Sequence, residues 1–229
     1  MDIPSAVDGV AAVFWDMDGT LVDSEKLWDI ALHGAAERLG GELTPAQRAT
    51  LVGANMTLTS RYLLEVTGHP VDDRSAAEVA EWIRDRTRTL FADELPWREG
   101  ARDALVAVRE AGIPSALVTS TERPLTELAL RTIGAELFDT TVCGDEVDGL
   151  NKPHPEPYLR AARLLGVDPT HCVAVEDSPV GAESAAAAGC TVLVVPNEVD
   201  VPPGPRRVFR SSLVGVDATV LNEVLRTPC

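Results

Sequence analysis

The segment VAAVFWDMDGTLVDS, residues 10–24, joins a short apolar run to two closely spaced aspartates. The run, residues 10–15, is short for a helix and apolar throughout, which predicts a β-strand buried on both faces. Asp16 and Asp18 follow it directly, and Gly19 then permits backbone conformations that other residues avoid. Two such carboxylates repel each other, so their site must supply a cation, a shared proton or abundant water. A solvated acidic turn is an open alternative, whereas an EF-hand loop is disfavoured by the glycine and glutamate positions.

The composition restricts the classes of function. The chain has 229 residues, of which 45% are hydrophobic, and 20 Lys and Arg residues against 36 Asp and Glu residues give a formal net charge of -16. Such a chain can bury a sizeable core, as one domain or as a domain with a smaller companion. The acidic balance disfavours nucleic acid and anionic membranes as partners, and an anionic substrate would need a local cation.

The sequence also bears on location. It lacks the pattern of a signal peptide and any apolar run of membrane-spanning length, so we expect a cytoplasmic protein. We expect a monomer or a weak dimer. The cysteines show no CxxC spacing, which favours buried or incidental thiols over a metal site or disulfide framework. They are Cys143, Cys172, Cys190 and Cys229.

Short apolar runs alternate with helical patterns along much of the chain. Runs typical of buried strands lie at residues 115–118, 172–175 and 191–195, with a last strand expected near 207–209. Helical stretches, several followed by glycine, lie at residues 102–111, 124–133, 156–165, 179–188 and 218–226. This alternation predicts an α/β fold, with a Rossmann-like parallel sheet covered by helices on both faces.

Residues 24–91 have a different pattern. Apolar residues recur there every three or four positions, as at Val79, Trp82 and Ile83, and no convincing strand is present. We therefore predict an all-helical domain inserted after the first strand.

The segment at residues 93–100, with proline and glycine in it, would return the chain to the sheet. The predicted domains are accordingly a core at residues 1–21 and 96–229 and a helical insert at residues 22–95.

Polar residues follow several of the predicted strands. Thr119 and Ser120 follow the second, and Glu176 and Asp177 follow a later one. Since ligands of parallel α/β sheets bind beyond the carboxyl ends of the strands, we expect these residues to meet the two aspartates there. A plain turn remains open for the first pair, and a helix cap before Pro179 remains open for the second.

Lys152 lies in the sequence GLNKPHP, residues 149–155. A solvated loop lysine is the alternative, but the flanking prolines stiffen the loop and would aim the charge.

Four parts of the sequence resemble the four motifs of the haloacid dehalogenase (HAD) superfamily, in order and at familiar separations. They are DMDGT at residues 16–20, Thr119, Lys152 before Pro153, and Glu176 with Asp177. The insert resembles the α-helical cap of the β-phosphoglucomutase-like subfamily, and the resemblance covers essentially the whole chain. The segments DSEKLWD, residues 23–29, and NKPHPEPYL, residues 151–159, are similar to sugar-phosphate phosphatases of that subfamily.

The resemblance implies a phosphatase mechanism. Asp16 would attack the phosphorus of a phosphomonoester and form an aspartyl-phosphate. Asp18 would protonate the leaving alcohol and then activate the hydrolytic water. Thr119, Ser120 and Lys152 would bind the phosphoryl group, with Thr119 and Lys152 also counted as catalytic.

The resemblance also implies a Mg²⁺ cofactor. The carboxylates of Asp16 and Asp177 and the backbone carbonyl of Asp18 would be its protein ligands, with Glu176 binding directly or through water.

The cap bears on the substrate. The arginine that mutases of the subfamily carry in the cap loop is absent from GANMT, residues 53–57, and their histidine in the first cap helix corresponds to Trp28. A phosphatase is therefore favoured over a mutase. Asn55 and Met56, beside Thr57, form a small, mildly polar surface, which suits a small phosphorylated metabolite such as a sugar or polyol phosphate. A phosphate contact from Arg61 is a weaker alternative.

The sequence disfavours two other functions. A carbon–halogen hydrolase of this fold would use Asp16 without metal and would lack the second acid, which Asp18 supplies. A non-catalytic sensor of phosphorylated metabolites would lose the nucleophile or the lysine, and both are present.

Overall fold

The structure, a computed structural model, describes residues 9–227. Within them one sheet of parallel strands has the order β3-β2-β1-β4-β5-β6. The strands are β1 (Ala12–Trp15), β2 (Ser115–Val118), β3 (Thr140–Val142), β4 (Cys172–Glu176), β5 (Thr191–Val194) and β6 (Arg207–Phe209). The helices are α1 (Glu25–Arg38), α2 (Pro45–Ala49), α3 (Met56–Val66), α4 (Asp73–Leu90), α5 (Ala101–Glu110), α6 (Arg123–Ile133), α7 (Glu156–Leu165), α8 (Pro179–Ala187) and α9 (Ala218–Arg226).

The central strand β1 is buried on both faces, as its uniform apolarity predicts. Val13 and Trp15 pack into an apolar cluster that includes residues of α5, α6 and α9. Ala12 and Phe14 point into a second cluster with α7 and α8. The predicted Rossmann-like sheet with helices on both faces is confirmed.

One strand, β3, was missed. It is a three-residue strand at the edge of the sheet, and Thr140 and Thr141 are half-buried. A short strand with polar side chains lacks the continuous apolar run that identifies the central strands.

Helices α1 to α4, hereafter the cap, pack around an apolar cluster of their own, which includes Leu63 and Ile83. No strand occurs among residues 24–91, all of which the structure describes. Trp28 and Leu90 pack against both this cluster and the cluster of the sheet, so they join the cap to the core.

The predicted domain boundaries stay a prediction, and their outermost parts, residues 1–8 and 228–229, lie outside the described residues, as does Cys229. Among the described helices, none has both the length and the apolar character that crossing a bilayer requires.

Candidate active site

The sheet gathers the predicted polar residues around one cavity. Strands β2, β1 and β4 are neighbours, so their carboxyl ends form one edge. The cavity lies at this edge, and the cap contributes part of its wall. The core side of the wall includes Asp16, Asp18, Thr119, Ser120, Lys152 and Asp177.

Lys152 joins two carboxylates at the base of the cavity. Its Nζ donates hydrogen bonds to Asp16 Oδ1 at 2.7 Å, to Glu176 Oε1 at 2.6 Å and to the backbone carbonyl of Val118 at 3.0 Å. An ammonium group has three hydrogens to donate, so each has an acceptor. The lysine side chain is only 2% exposed, which makes this a buried and fully used cation.

The charges of this group depend on one another. Burial raises the pKa of Asp16 from 3.8 to about 7, and the negative charge of Glu176 adds to the rise while Lys152 opposes it. Burial alone lowers the pKa of Lys152, but Asp16 and Glu176 outweigh burial and hold that pKa above its ordinary value. The lysine therefore stays positively charged beside the predicted nucleophile.

Protein donors occupy both carboxylate oxygens of Glu176. The Tyr158 hydroxyl donates to Oε1 at 2.5 Å, and the Ser178 hydroxyl donates to Oε2 at 3.2 Å. A Cβ at Gly181 would lie 2.0 Å from these oxygens, so the side chain packs against α8 only because glycine stands there. Tyr158 is not among the predicted site residues, although its segment, residues 151–159, is similar to sugar-phosphate phosphatases.

Asp177 has an oxygen that the protein leaves without a partner. Its Oδ2 is buried and accepts no hydrogen bond from the described residues, while Oδ1 accepts one from the Thr20 hydroxyl at 3.3 Å. Burial raises the pKa of Asp177 well above its ordinary value, and the charges of Asp16 and Glu176 add to the effect. Gly19, at φ +79°, leaves room for this oxygen, because a Cβ there would lie 2.1 Å from it.

This acidic cluster fits a metal ion. Asp16, Glu176 and Asp177 each offer a carboxylate oxygen, and the three oxygens lie within 4.8 Å of one another. Oxygen ligands suit a hard divalent cation, and the free Oδ2 of Asp177 suits direct coordination. Glu176 is better suited to binding through water because its oxygens already accept protein hydrogen bonds. Coordination by the Asp18 carbonyl stays a prediction.

The carboxylate of Asp18 is held by donors from both the core and the cap. Ser24 Oγ and Trp28 Nε1 donate to Oδ1 at 2.6 and 2.9 Å. Thr121 Oγ1 donates to Oδ2 at 2.7 Å, and Thr119 Oγ1 lies 3.5 Å from the same oxygen. Asp18 thus shares no hydrogen bond with Lys152 and belongs to a separate hydrogen-bonding group, which gives the two aspartates different surroundings.

The loop after β2 presents hydroxyl groups to the cavity. Thr119 Oγ1 accepts a hydrogen bond from the backbone N–H of Thr121 at 3.0 Å, which fixes its orientation. Ser120 Oγ is buried and has no hydrogen-bonding partner among the described residues. Both residues line the cavity, where their hydroxyl hydrogens suit the oxygens of an anion.

Of the two predicted cap residues, only one lies at the cavity. Met56 lines the cavity, but Asn55 lines a different depression, and its side chain caps α3 by accepting from the Leu58 N–H at 3.0 Å. The structure therefore does not bring Asn55 together with the other site residues. Arg61 forms an ion pair with Asp73 at the surface and does not line the cavity.

Two charged cap residues that line the cavity were missed. Glu25 lies in residues 23–29, the segment that is similar to sugar-phosphate phosphatases. Arg48, which is 8% exposed, donates a hydrogen bond to the Glu25 carboxylate. They are separated by 23 positions along the chain, and nothing in the local sequence of Arg48 indicates this contact.

Known proteins share both this sequence and this architecture. The profile of the haloacid dehalogenase-like hydrolase family matches residues 10–189. Hexitol phosphatase A of Escherichia coli K12 is 35% identical over 193 residues, covering 82% of this chain and 84% of that protein. A phosphorylated carbohydrates phosphatase of Thermotoga maritima is 33% identical over 180 residues, covering 78% of this chain and 81% of that protein.

The fold is also that of a solved β-phosphoglucomutase. The crystal structure of this protein from Clostridium difficile superposes with a TM-score of 0.82 at 19% identity, covering 94% of this chain and 97% of the other. This likeness concerns the fold, including the helical cap. The family profile confirms the predicted superfamily, and the phosphatase relatives agree with the predicted subfamily. With the family profile matching 180 consecutive positions, 10–189, the chain belongs to the haloacid dehalogenase-like hydrolase family.

Proposed function

We propose that this chain is a Mg²⁺-dependent phosphatase that hydrolyses a sugar or polyol phosphate through an aspartyl-phosphate on Asp16. The observation that carries the proposal is the division of the two aspartates: Asp16 contacts the buried cation Lys152, and Asp18 is held apart by hydroxyl and indole donors. Such a division separates a nucleophile from an acid–base group. The names of the two phosphatase relatives support the substrate class.

Asp16 would act as the nucleophile. Its Oδ1 is bound to Lys152, which leaves Oδ2 as the oxygen that attacks phosphorus. The positive charge of Lys152 reduces the repulsion between an anionic carboxylate and an anionic phosphate. Thr119 and Ser120 would donate to the phosphoryl oxygens, because both residues line the cavity and the Ser120 hydroxyl has no partner among the described residues.

Asp18 would donate a proton to the departing alcohol and later accept one from the water that hydrolyses the aspartyl-phosphate. Its donors Ser24, Trp28 and Thr121 hold the carboxylate in one position, so the same group can serve both half-reactions.

Asp16 and Asp177, with the Asp18 carbonyl, would hold Mg²⁺, and Glu176 would contribute through water. When bound there, Mg²⁺ supplies positive charge to the phosphoryl oxygens in addition to that of Lys152, and it offsets the repulsion among the acidic residues.

We further place the enzyme in the cytoplasm as a monomer or weak dimer, with small phosphorylated metabolites and no nucleic acid as partners. Among the described residues, Cys143, Cys172 and Cys190 are buried and form no disulfide, which supports a reducing compartment.

The test is hydrolysis of a panel of hexitol, hexose and short alkyl phosphates, with and without Mg²⁺. The Asp16→Asn variant is expected to lose about 10³-fold or more in kcat. Asp73→Asn is a matched control because Asp73 is exposed on the cap. Undiminished turnover by Asp16→Asn would refute the mechanism, and full turnover in EDTA would refute the metal requirement. Conversion of a hexose 1-phosphate to its 6-phosphate isomer, without release of phosphate, would favour a mutase.

A further inference from the structure

Arg48 is a buried cation of the cap that faces the reaction cavity. It lies in α2, is 8% exposed, and lines the same cavity as Asp16, Asp18 and Lys152. A cation in that place would ordinarily attract a second anionic group of the substrate, such as a distal phosphate.

Two carboxylates already neutralise Arg48. Its Nη2 donates to Glu25 Oε2 at 2.5 Å, and its Nε donates to Asp29 Oδ1 at 2.5 Å. The Glu25 side chain is 5% exposed and lines the cavity, whereas that of Asp29 is 44% exposed and does not line it. Arg48, Glu25 and Asp29, hereafter the array, therefore present no net positive charge to a substrate.

The array still has free hydrogen-bonding capacity. Among the described residues, neither Arg48 Nη1 nor Glu25 Oε1 has a hydrogen-bonding partner. One is a donor and the other an acceptor, and a hydroxyl group both donates and accepts. Neighbouring hydroxyls of a polyol suit this pair, whereas a second phosphate would meet the negative charge of Glu25.

We propose that Glu25 and Arg48 are specificity-determining residues, which bind hydroxyl groups of an uncharged leaving group and reject substrates with a second phosphate. This inference rests on the phosphatase function proposed above. Burial raises the pKa of Glu25 and Arg48 opposes the rise, which agrees with a carboxylate that depends on its arginine.

The experiment measures kcat/KM for a hexitol 6-phosphate, ethyl phosphate and a hexose bisphosphate in the Mg²⁺-loaded enzyme. Arg48→Met is expected to lower the ratio of hexitol phosphate to ethyl phosphate by about 10- to 100-fold, since ethyl phosphate has no hydroxyl groups to lose. Glu25→Gln is expected to raise the ratio of bisphosphate to hexitol phosphate by roughly tenfold, because the repelling charge is gone. Arg48→Met should lower the ratio of bisphosphate to hexitol phosphate, because Glu25 then repels the second phosphate without its arginine. The two variants thus shift this ratio in opposite directions.

Arg74→Met is the matched control, because Arg74 pairs with Glu78 on the exposed surface of α4. If Arg48→Met does not fold, as judged by circular dichroism, Arg48→Lys takes its place and should show the same direction in the first ratio. Equal losses on hexitol and ethyl phosphate would show a structural brace and overturn the inference. A wild-type enzyme that hydrolyses none of the three esters would instead refute the proposed function.

Discussion

The indole Nε1 of Trp28 donates a hydrogen bond of 2.9 Å to Asp18 Oδ1, so a cap side chain contacts the carboxylate assigned to acid–base catalysis. Trp28 also packs edge-on against Phe91, the residue that follows α4, with ring centroids 5.9 Å apart. The position of the cap and the position of the proton-transferring group are thereby linked.

Trp28→Phe should reveal this link, because it removes the N–H and keeps most of the ring. We expect kcat for alkyl phosphates to fall by about tenfold, since Asp18 loses one of its donors. The loss should be smaller for an aryl phosphate, whose leaving group needs less protonation. Trp82→Phe on α4 is the control, because Trp82 does not line the catalytic cavity. Equal losses on both classes of ester would contradict the role.

Tyr158→Phe should destabilise the protein. The Tyr158 side chain is fully buried, and its hydroxyl donates to Glu176 Oε1. Removing that donor beside a buried carboxylate is expected to lower the free energy of unfolding by about 1–3 kcal/mol, measured by urea denaturation. Tyr62→Phe should change it less, because Tyr62 is only half-buried. Equal stability of Tyr158→Phe and wild type would show that the bond contributes nothing.

The metal-free protein should lose stability as the pH rises. The folded-state pKa of Asp16 is raised from 3.8 to about 7, so its contribution is fully present below about 4 and is lost as the pH rises through about 7. The raised pKa of Asp177 acts in the same direction. Melting temperatures in EDTA should therefore fall across this window, and Mg²⁺ should restore them.

Asp177→Asn tests the same cluster by removing a charge. In EDTA at pH 8 its melting temperature should exceed that of the wild type, because the variant lacks a buried carboxylate that has one unpartnered oxygen. Mg²⁺ should no longer raise it. A wild-type-like response to Mg²⁺ would show that Asp177 is not a ligand.

Arg84 and Glu122 connect the cap to the loop that follows β2. Arg84 Nε and Nη2 donate to the two carboxylate oxygens of Glu122 at 2.5 and 2.9 Å. Arg84→Met is expected to lower kcat/KM by about fivefold, because a half-buried bidentate pair that positions the cap is lost.

Raising the salt concentration should reduce the difference between Arg84→Met and wild type. Arg88→Met, which disrupts the exposed pair of Arg88 with Asp85 on the same helix, should leave kcat/KM unchanged. A similar loss in that control would indicate a general effect of the helix and not of the pair.

The sequence predicted most of the sheet because its central strands are buried on both faces. Buried strands carry continuous apolar runs, and polar residues directly after them mark the edge where the cavity lies. Asp16 and Thr119 were located in this way. The edge strand β3 was not, since two of its three residues are threonines that the structure leaves half-buried.

The cap wall of the cavity was less accessible to sequence reasoning. Arg48 in α2 meets Glu25 in α1 only in the folded cap, and spacing along the chain does not encode that contact. The position of Asn55 is a local sequence signal for a helix cap, because an asparagine before a helix is a preferred N-cap residue. Its side chain serves α3 in that way.

The three acceptors around Lys152 have one consequence for the order of events. With every ammonium hydrogen engaged, an arriving phosphate must take the place of an acceptor that is already bound. Glu176 and the Val118 carbonyl belong to strands of the sheet, whereas Asp16 is the residue that the proposed mechanism esterifies. Under that mechanism substrate binding would be an exchange of partners at Lys152, in which the N–H that Asp16 no longer accepts is donated to a phosphoryl oxygen.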